Sequence, residues 1–207
     1  LKKAHGELDA LFSNLLKFCL FFLDVKYAEV DNSEVVEINY TSGTTGFSKG
    51  VMLSGNSLAG NVTFAMRSIE LNPGEKMLAI LPLAHCYGCA FDFLFPLAVG
   101  VHVTILGKLP ATPVIIKAFG EIKPHLILFV PVFFEKLYKN KIIPILSKGS
   151  MKVLTKIPGI NNIIYGKIRK SLIDTFGGRF RETVLGGAAL SQEVEDFLFR
   201  IKFPYTI

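Results

Sequence analysis

The run Tyr40-Thr-Ser-Gly-Thr-Thr-Gly-Phe-Ser-Lys-Gly50 crowds glycines, hydroxyl side chains and one lysine directly behind the β-branched stretch Val35 to Tyr40. Such a run has the chemistry of a triphosphate cradle. Glycines let backbone N–H groups turn toward an anion, hydroxyls donate hydrogen bonds and a lysine adds charge. Behind it, Leu58, Val62, Ala65, Met66 and Ile69 share one face of a helix expected from about Ser57 to Ile69. The run therefore reads as a loop between a strand and a helix. The Walker spacing fails, because Ser48 stands five residues after Gly43 and Gly50 follows Lys49. A P-loop kinase or NTPase is excluded on that ground.

The rest of the chain repeats the same alternation. Met77 to Leu81, Val101 to Leu106, Leu126 to Val130 and Thr183 to Leu185 read as strands, and the chain stops at Tyr205-Thr206-Ile207 inside another. A helix is expected from Thr112 as N-cap, with Pro113 in its first turn, to about Glu121. Pro131 opens another toward Tyr138, and a third runs from about Asn162 to Phe176 and ends at Gly177-Gly178. Ser191 is expected to cap the last, with Glu193, Glu195 and Asp196 near its positive end. Positions 140–160 read as a basic, Pro- and Gly-punctuated connector. The fold class is α/β, with βαβ units around a mostly parallel sheet.

Met77 to Leu106 is almost unbroken apolar sequence and raises a membrane span. Asp92 interrupts it, and Pro82, Gly88, Pro96 and Gly100 cut it into pieces shorter than a bilayer needs, so strand, helix and strand is the better division. Eighteen Phe and no Trp leave deep burial, a greasy substrate tunnel and contact with a membrane surface all open. The net charge of +6 gathers mainly between positions 136 and 181, with no basic arm or zinc-finger pattern, so nucleic acid is not an expected partner. Attachment to a membrane surface stays open. Three cysteines suit a reducing, cytoplasmic compartment better than a disulfide scaffold. Leu11 to Leu23 reads as an amphipathic helix, broken by Asn14 and Lys17, and not as a signal peptide.

The Tyr40–Gly50 run resembles the phosphate-loop motif of the adenylate-forming superfamily of acyl-CoA synthetases, luciferases and adenylation domains. Ser48 stands where that family usually has proline. Further segments are similar to the long-chain fatty acyl-CoA synthetase branch: Leu81-Pro-Leu-Ala-His-Cys-Tyr-Gly88, Gly120-Glu-Ile-Lys-Pro124, Val130-Pro131, Gly177-Gly-Arg-Phe-Arg181 and Leu185-Gly-Gly-Ala-Ala-Leu190. The resemblance covers residues 31–207 as part of the large AMP-binding domain, while residues 1–30 carry no signal. It implies ATP, Mg2+ and coenzyme A as cofactor and co-substrates, and a fatty acid or another carboxylic acid as partner. Thr41, Ser42, Gly43, Thr44, Thr45, Gly46, Lys49 and Gly50 would then grip phosphate, with Lys49 catalytic and Thr44 near the metal. Gly186, Gly187 and Ala188 would admit the adenine and the acyl carboxyl, and His85 and Tyr87 would lie near the acyl end, with His85 provisionally catalytic.

Two rival readings stand beside this one. Cys86-Tyr-Gly-Cys89, after a strand and before a helix, has the spacing of a thioredoxin-like redox pair, although an apolar setting makes both cysteines expected packing residues. His85 could be a hydrogen-bonded structural histidine, as His5, His102 and His125 are read. A non-catalytic nucleotide-binding module is the other rival. The family's acidic motif, ribose-binding aspartate and C-terminal lid with its lysine would fall beyond Ile207. The expectation is therefore a piece of a ligase that does not turn over alone. Oligomeric state and chain-length preference are not readable.

Overall fold

Leu126-Ile-Leu-Phe129 offers no polar side chain to water, so a strand built from it must be covered on both faces. In the computed structural model, which describes residues 31–42, 48–106, 111–155 and 157–207, this strand is the middle of a five-stranded parallel sheet. Numbered along the chain, β3 is Lys76–Ala79, β4 His102–Ile105, β5 Leu126–Phe129, β6 Glu182–Leu185 and β7 Tyr205–Thr206. Their order across the sheet is β4-β3-β5-β6-β7. Met77 pairs with Leu126, and Leu126 through Phe129 pair with Glu182 through Leu185.

Side chains alternate across a strand, and the core divides accordingly. Met77, Leu126 and Leu128 pack on one face with Val101 and with Ala65 and Phe95, which are brought by α1 (Gly55–Ser68) and α2 (Phe95–Val99). Leu78, Ile127, Phe129 and Leu185 pack on the other with Phe119, Phe134, Phe176 and Phe197. These come from α3 (Thr112–Ile122), α4 (Pro131–Leu137), the end of α7 (Ile160–Thr175) and α8 (Gln192–Arg200). Phe119, Phe129 and Phe176 meet with ring centroids 5.5 Å apart, and Phe133 stacks on Phe129 at 4.2 Å. Much of the phenylalanine therefore makes an aromatic core.

Residues 48–54 are placed differently from the expectation. Ser48–Ser54 forms a strand, β2, antiparallel to β1 (Val35–Ser42), before α1 begins. Among the described residues no helix N-terminus meets the run, because Gly50-Val-Met-Leu53 satisfies its backbone by pairing with Glu37 through Tyr40 rather than by coiling. Helix α1 then starts at Gly55, and the Ser54 hydroxyl accepts from the Ser57 N–H at 3.3 Å.

Smaller corrections fall at helix ends. Ala111, not Thr112, occupies the N-cap position of α3, and Thr112 lies in its first turn. Ser191 does stand at the N-cap position of α8, yet its side chain makes no capping bond; Glu193 and Glu195 answer the helix dipole there. Within 140–160 the chain forms short helices, α5 (Ile143–Leu146) and α6 (Gly149–Leu154), joined to α4 by a π-helical turn at Tyr138–Ile142. Residues 77–106 divide into strand, helix and strand, and no described helix is long and apolar enough to cross a membrane. Val35–Ile207 forms one compact unit. The expected helix at Leu11–Leu23 lies outside the described residues.

Candidate functional site

The connection after β3 leads to β4 on one side of the sheet, whereas the connection after β5 leads to β6 on the other. Adjacent strands whose connections diverge leave a crevice at their carboxyl ends, the place where open α/β sheets bind ligands. Three of the segments singled out by sequence end here: Leu81–Gly88 behind β3, Val130-Pro131 behind β5, and Gly186–Ala188 behind β6.

Close backbone approach shapes this end. A Cβ at Gly88 would come within 2.3 Å of the Pro82 carbonyl oxygen, so only glycine lets the chain fold back onto residue 82. The fold-back is held by the His85 N–H donating to Pro82 O at 3.0 Å and the Cys89 N–H donating to His85 O at 2.8 Å. A Cβ at Gly186 would fall 2.7 Å from the Tyr87 ring, and one at Gly187 3.8 Å from both Tyr87 and Val130. Tyr87 thus lies on the bare backbone of Gly186, and Tyr87, Gly186 and Gly187 are brought together. Ala188 is exposed beside them.

His85 is exposed, which removes its reading as a core residue; its Nδ1 accepts from the Tyr87 N–H at 3.3 Å. Tyr87 is different. Its hydroxyl is buried without a partner, and burial together with the charge of Asp92 pushes its pKa up to about 12.

Asp92 was missed as a site residue, although a lone carboxylate inside an apolar run is a visible signal. Fully buried, it accepts through Oδ2 from the N–H groups of Ile80 at 3.0 Å and Leu81 at 2.9 Å. Its Oδ1 has no partner. Burial raises its pKa to about 7 against the pull of those two amides.

The residues expected to grip phosphate fall partly within the described residues and partly outside them. Gly43, Thr44, Thr45 and Gly46 lie outside the described residues, and with Thr44 goes the expected metal contact. Ser42 ends β1, paired with Ser48. Thr41 and Lys49 are direct cross-strand partners and both are exposed. Opposed residues of an antiparallel pair project to the same face, so a hydroxyl and an ammonium stand side by side where the run 43–47 begins and ends. Gly50, opposite Tyr40, has Ile38 and the Tyr40 ring over it. Among the described residues one hydrogen bond ties this hairpin to the crevice: Cys89 Sγ donates to Glu37 Oε2 at 3.3 Å. No hydrogen bond among the described residues joins Thr41 or Lys49 to residues 186–188.

The cysteines are not the buried pair expected, since Cys86 is exposed and Cys89 half-buried. Nor does Cys89 suit redox exchange. Burial and the neighbouring Glu37 push the Cys89 thiol up to about 11, against the low pKa that a reactive thiolate requires. Among the described residues no three His, Cys, Asp or Glu side chains gather.

Residues 4–204 match the family described as AMP-binding enzyme. Over 185 residues the chain is 29% identical to long chain acyl-CoA synthetase 6, peroxisomal, of Arabidopsis thaliana, covering 80% of this chain and 25% of that protein. It is 28% identical over 180 residues to 4-coumarate–CoA ligase 2 of Petroselinum crispum, covering 84% and 27%. The chain thus spans about a quarter of the length of these relatives. Among solved structures, the adenylation domain of a carboxylate reductase of Mycobacterium chelonae superposes with a TM-score of 0.65 at 22% identity, over 87% of this chain and 27% of that one.

Proposed function

The chain belongs to the AMP-binding enzyme family, and on that premise we propose that it is part of an ATP-dependent long-chain fatty acid–CoA ligase. The observation that carries this reading is the Thr41–Lys49 pair, which presents a hydroxyl donor and a cation together at the two ends of the Gly/Ser/Thr run. A single anion can take both, and Lys49, which has no ion-pair partner among the described residues, is free to meet it.

In the proposed reaction a fatty carboxylate oxygen bonds to the α-phosphorus of ATP while the bond to the bridging oxygen breaks and pyrophosphate leaves. The thiol of coenzyme A then gives up its proton to solvent, its sulfur bonds to the acyl carbon, the carbon–oxygen bond to AMP breaks, and AMP departs with that electron pair. Charge builds on phosphoryl oxygens in the first step, where preplaced donors stabilise the transition state most. Thr41, Lys49 and the run between them would supply these donors. Tyr87 on Gly186, with His85 on the same turn, would line the acyl end of the crevice. Free thiols at Cys86 and Cys89 suit a cytoplasmic setting.

The decisive measurement is fatty-acid-dependent exchange of pyrophosphate into ATP by the full protein that contains these residues. Exchange is expected, and Lys49→Ala should lower it by on the order of a hundredfold, as loss of a transition-state donor does. No exchange with any carboxylic acid would overturn the reading. Exchange with aromatic acids alone would favour a second one, another carboxylate-activating ligase, which the similar identity to 4-coumarate–CoA ligase supports. Run on these 207 residues alone, the assay is expected to give none.

A further inference from the structure

Asp92 is the sole fully buried ionisable side chain among the described residues, and no step of the proposed reaction uses it. A carboxyl group kept in the core at a desolvation cost, with no cation beside it and one oxygen unpartnered, calls for a reason other than stability. The reason lies in its two hydrogen bonds. Strand β3 ends at Ala79, and the next two residues, Ile80 and Leu81, are buried as the chain leaves the sheet. Their N–H groups go to Asp92 Oδ2, at 3.0 and 2.9 Å. Without that oxygen, two buried donors would be orphaned where the Leu81–Gly88 turn begins.

The turn is clamped a second time where it ends, with Gly88 seated on the Pro82 carbonyl. His85 and Tyr87 lie between the two clamps. Asp92 itself sits in a π-helical turn, Gly88–Leu94, that widens the helix by one residue per turn. That wider register sets Asp92 one π-turn beyond Tyr87, beneath the residue that meets Gly186, while Phe91 packs against the Tyr87 ring at 5.5 Å.

We propose that Asp92 is a positioning residue of the crevice: by holding the Ile80 and Leu81 amides it fixes the turn that lays Tyr87 on Gly186, and so sets how the acyl end of the substrate is seated. The proposal rests on the ligase reading for its substrate, while the clamp itself can be measured without it.

The test uses the full protein with Asp92→Leu, which fills the space without an acceptor, and Asp92→Asn, which keeps an acceptor oxygen. Backbone amide exchange at Ile80 and Leu81 should quicken by about tenfold or more in Asp92→Leu while the β5 amides do not change, and Asp92→Asn should restore protection to within about threefold. In pyrophosphate exchange, Asp92→Leu should raise the KM for fatty acid by about tenfold with the KM for ATP changed by less than about twofold, and Asp92→Asn should recover most of that loss. A purely structural role would raise both KM values together or lower stability throughout the sheet. Either pattern, or asparagine no better than leucine, overturns the proposal. Where Asp92→Leu does not fold, Asp92→Ser, too short to reach both amides, gives the same selective reading. If the wild-type protein shows no acid-dependent exchange, the ligase reading fails by itself, and amide exchange alone decides whether Asp92 clamps the turn.

Discussion

Asp92 also sets a pH dependence of stability whose sign is opposite to that of a carboxylate in an ion pair. Its pKa stands near 7 in the folded chain against an ordinary value of 3.8, because burial penalises the charge more than the two amides relieve it. Between those values the folded state holds more protons than the unfolded one, so this contribution is full at low pH and is lost as pH rises through about 7. The groups around it do not reverse the sign: Tyr87 adds no positive charge, Arg67 of α1 and Lys76 of β3 are exposed, and α2 has no ionisable side chain. Urea unfolding at pH 5.5 and 8.5 should show Asp92→Asn losing less stability than wild type between the two, by on the order of a few kcal/mol at most. Glu75 opposes this trend at lower pH. The Arg181 guanidinium, 2.5 Å away, holds its carboxyl down to about 2, so its contribution is present above its ordinary 4.5 and lost only as pH falls toward 2. At this scale the sequence was a partial guide. Tyr87, Gly186 and Gly187 were legible because a motif quotes them, whereas the partner of Asp92 is the backbone of Ile80 and Leu81, and a backbone partner leaves no mark on side-chain pattern.

Strand β5 and the π-helical turn after β3 show which elements a pattern can reveal. Leu126-Ile-Leu-Phe129 is short and wholly apolar, and a strand covered on both faces is the economical arrangement for it. Phe129 is also the hub of the aromatic cluster, against Phe119, Phe133, Phe134 and Phe176. Phe129→Ala should therefore cost about 3–5 kcal/mol in denaturant unfolding, the usual range for emptying a closed core site. Strand β2 was hidden for the opposite reason. Its residues are largely exposed, and Ser48-Lys-Gly50 has little strand propensity, so pairing with β1 rather than composition makes it a strand. The π-helical turn was equally unreadable, since its register depends on where Asp92 finds its acceptor-seeking amides, eleven and twelve residues away.

Across the whole of Val35–Ile207, stability should be uneven. The five-stranded sheet is sandwiched between two apolar clusters, but β1 and β2 form a two-stranded sheet with Val36, Ile38, Tyr40 and Met52 exposed. A lone two-stranded hairpin is marginal in water. Native-state amide exchange is expected to be slowest in β3, β5 and β6 and faster by on the order of a hundredfold or more in β1 and β2; equal protection would show that the hairpin is covered in the full protein. The α/β class and the parallel strands follow from local pattern, because apolar periodicity and glycine placement act between near neighbours in the chain. Tertiary structure alone decided that the run is flanked by paired strands, that Tyr87 rests on Gly186 and that Asp92 closes β3. Each of these depends on atoms far apart in sequence meeting within a few ångströms, and that proximity is created by packing and backbone hydrogen bonding across the sheet.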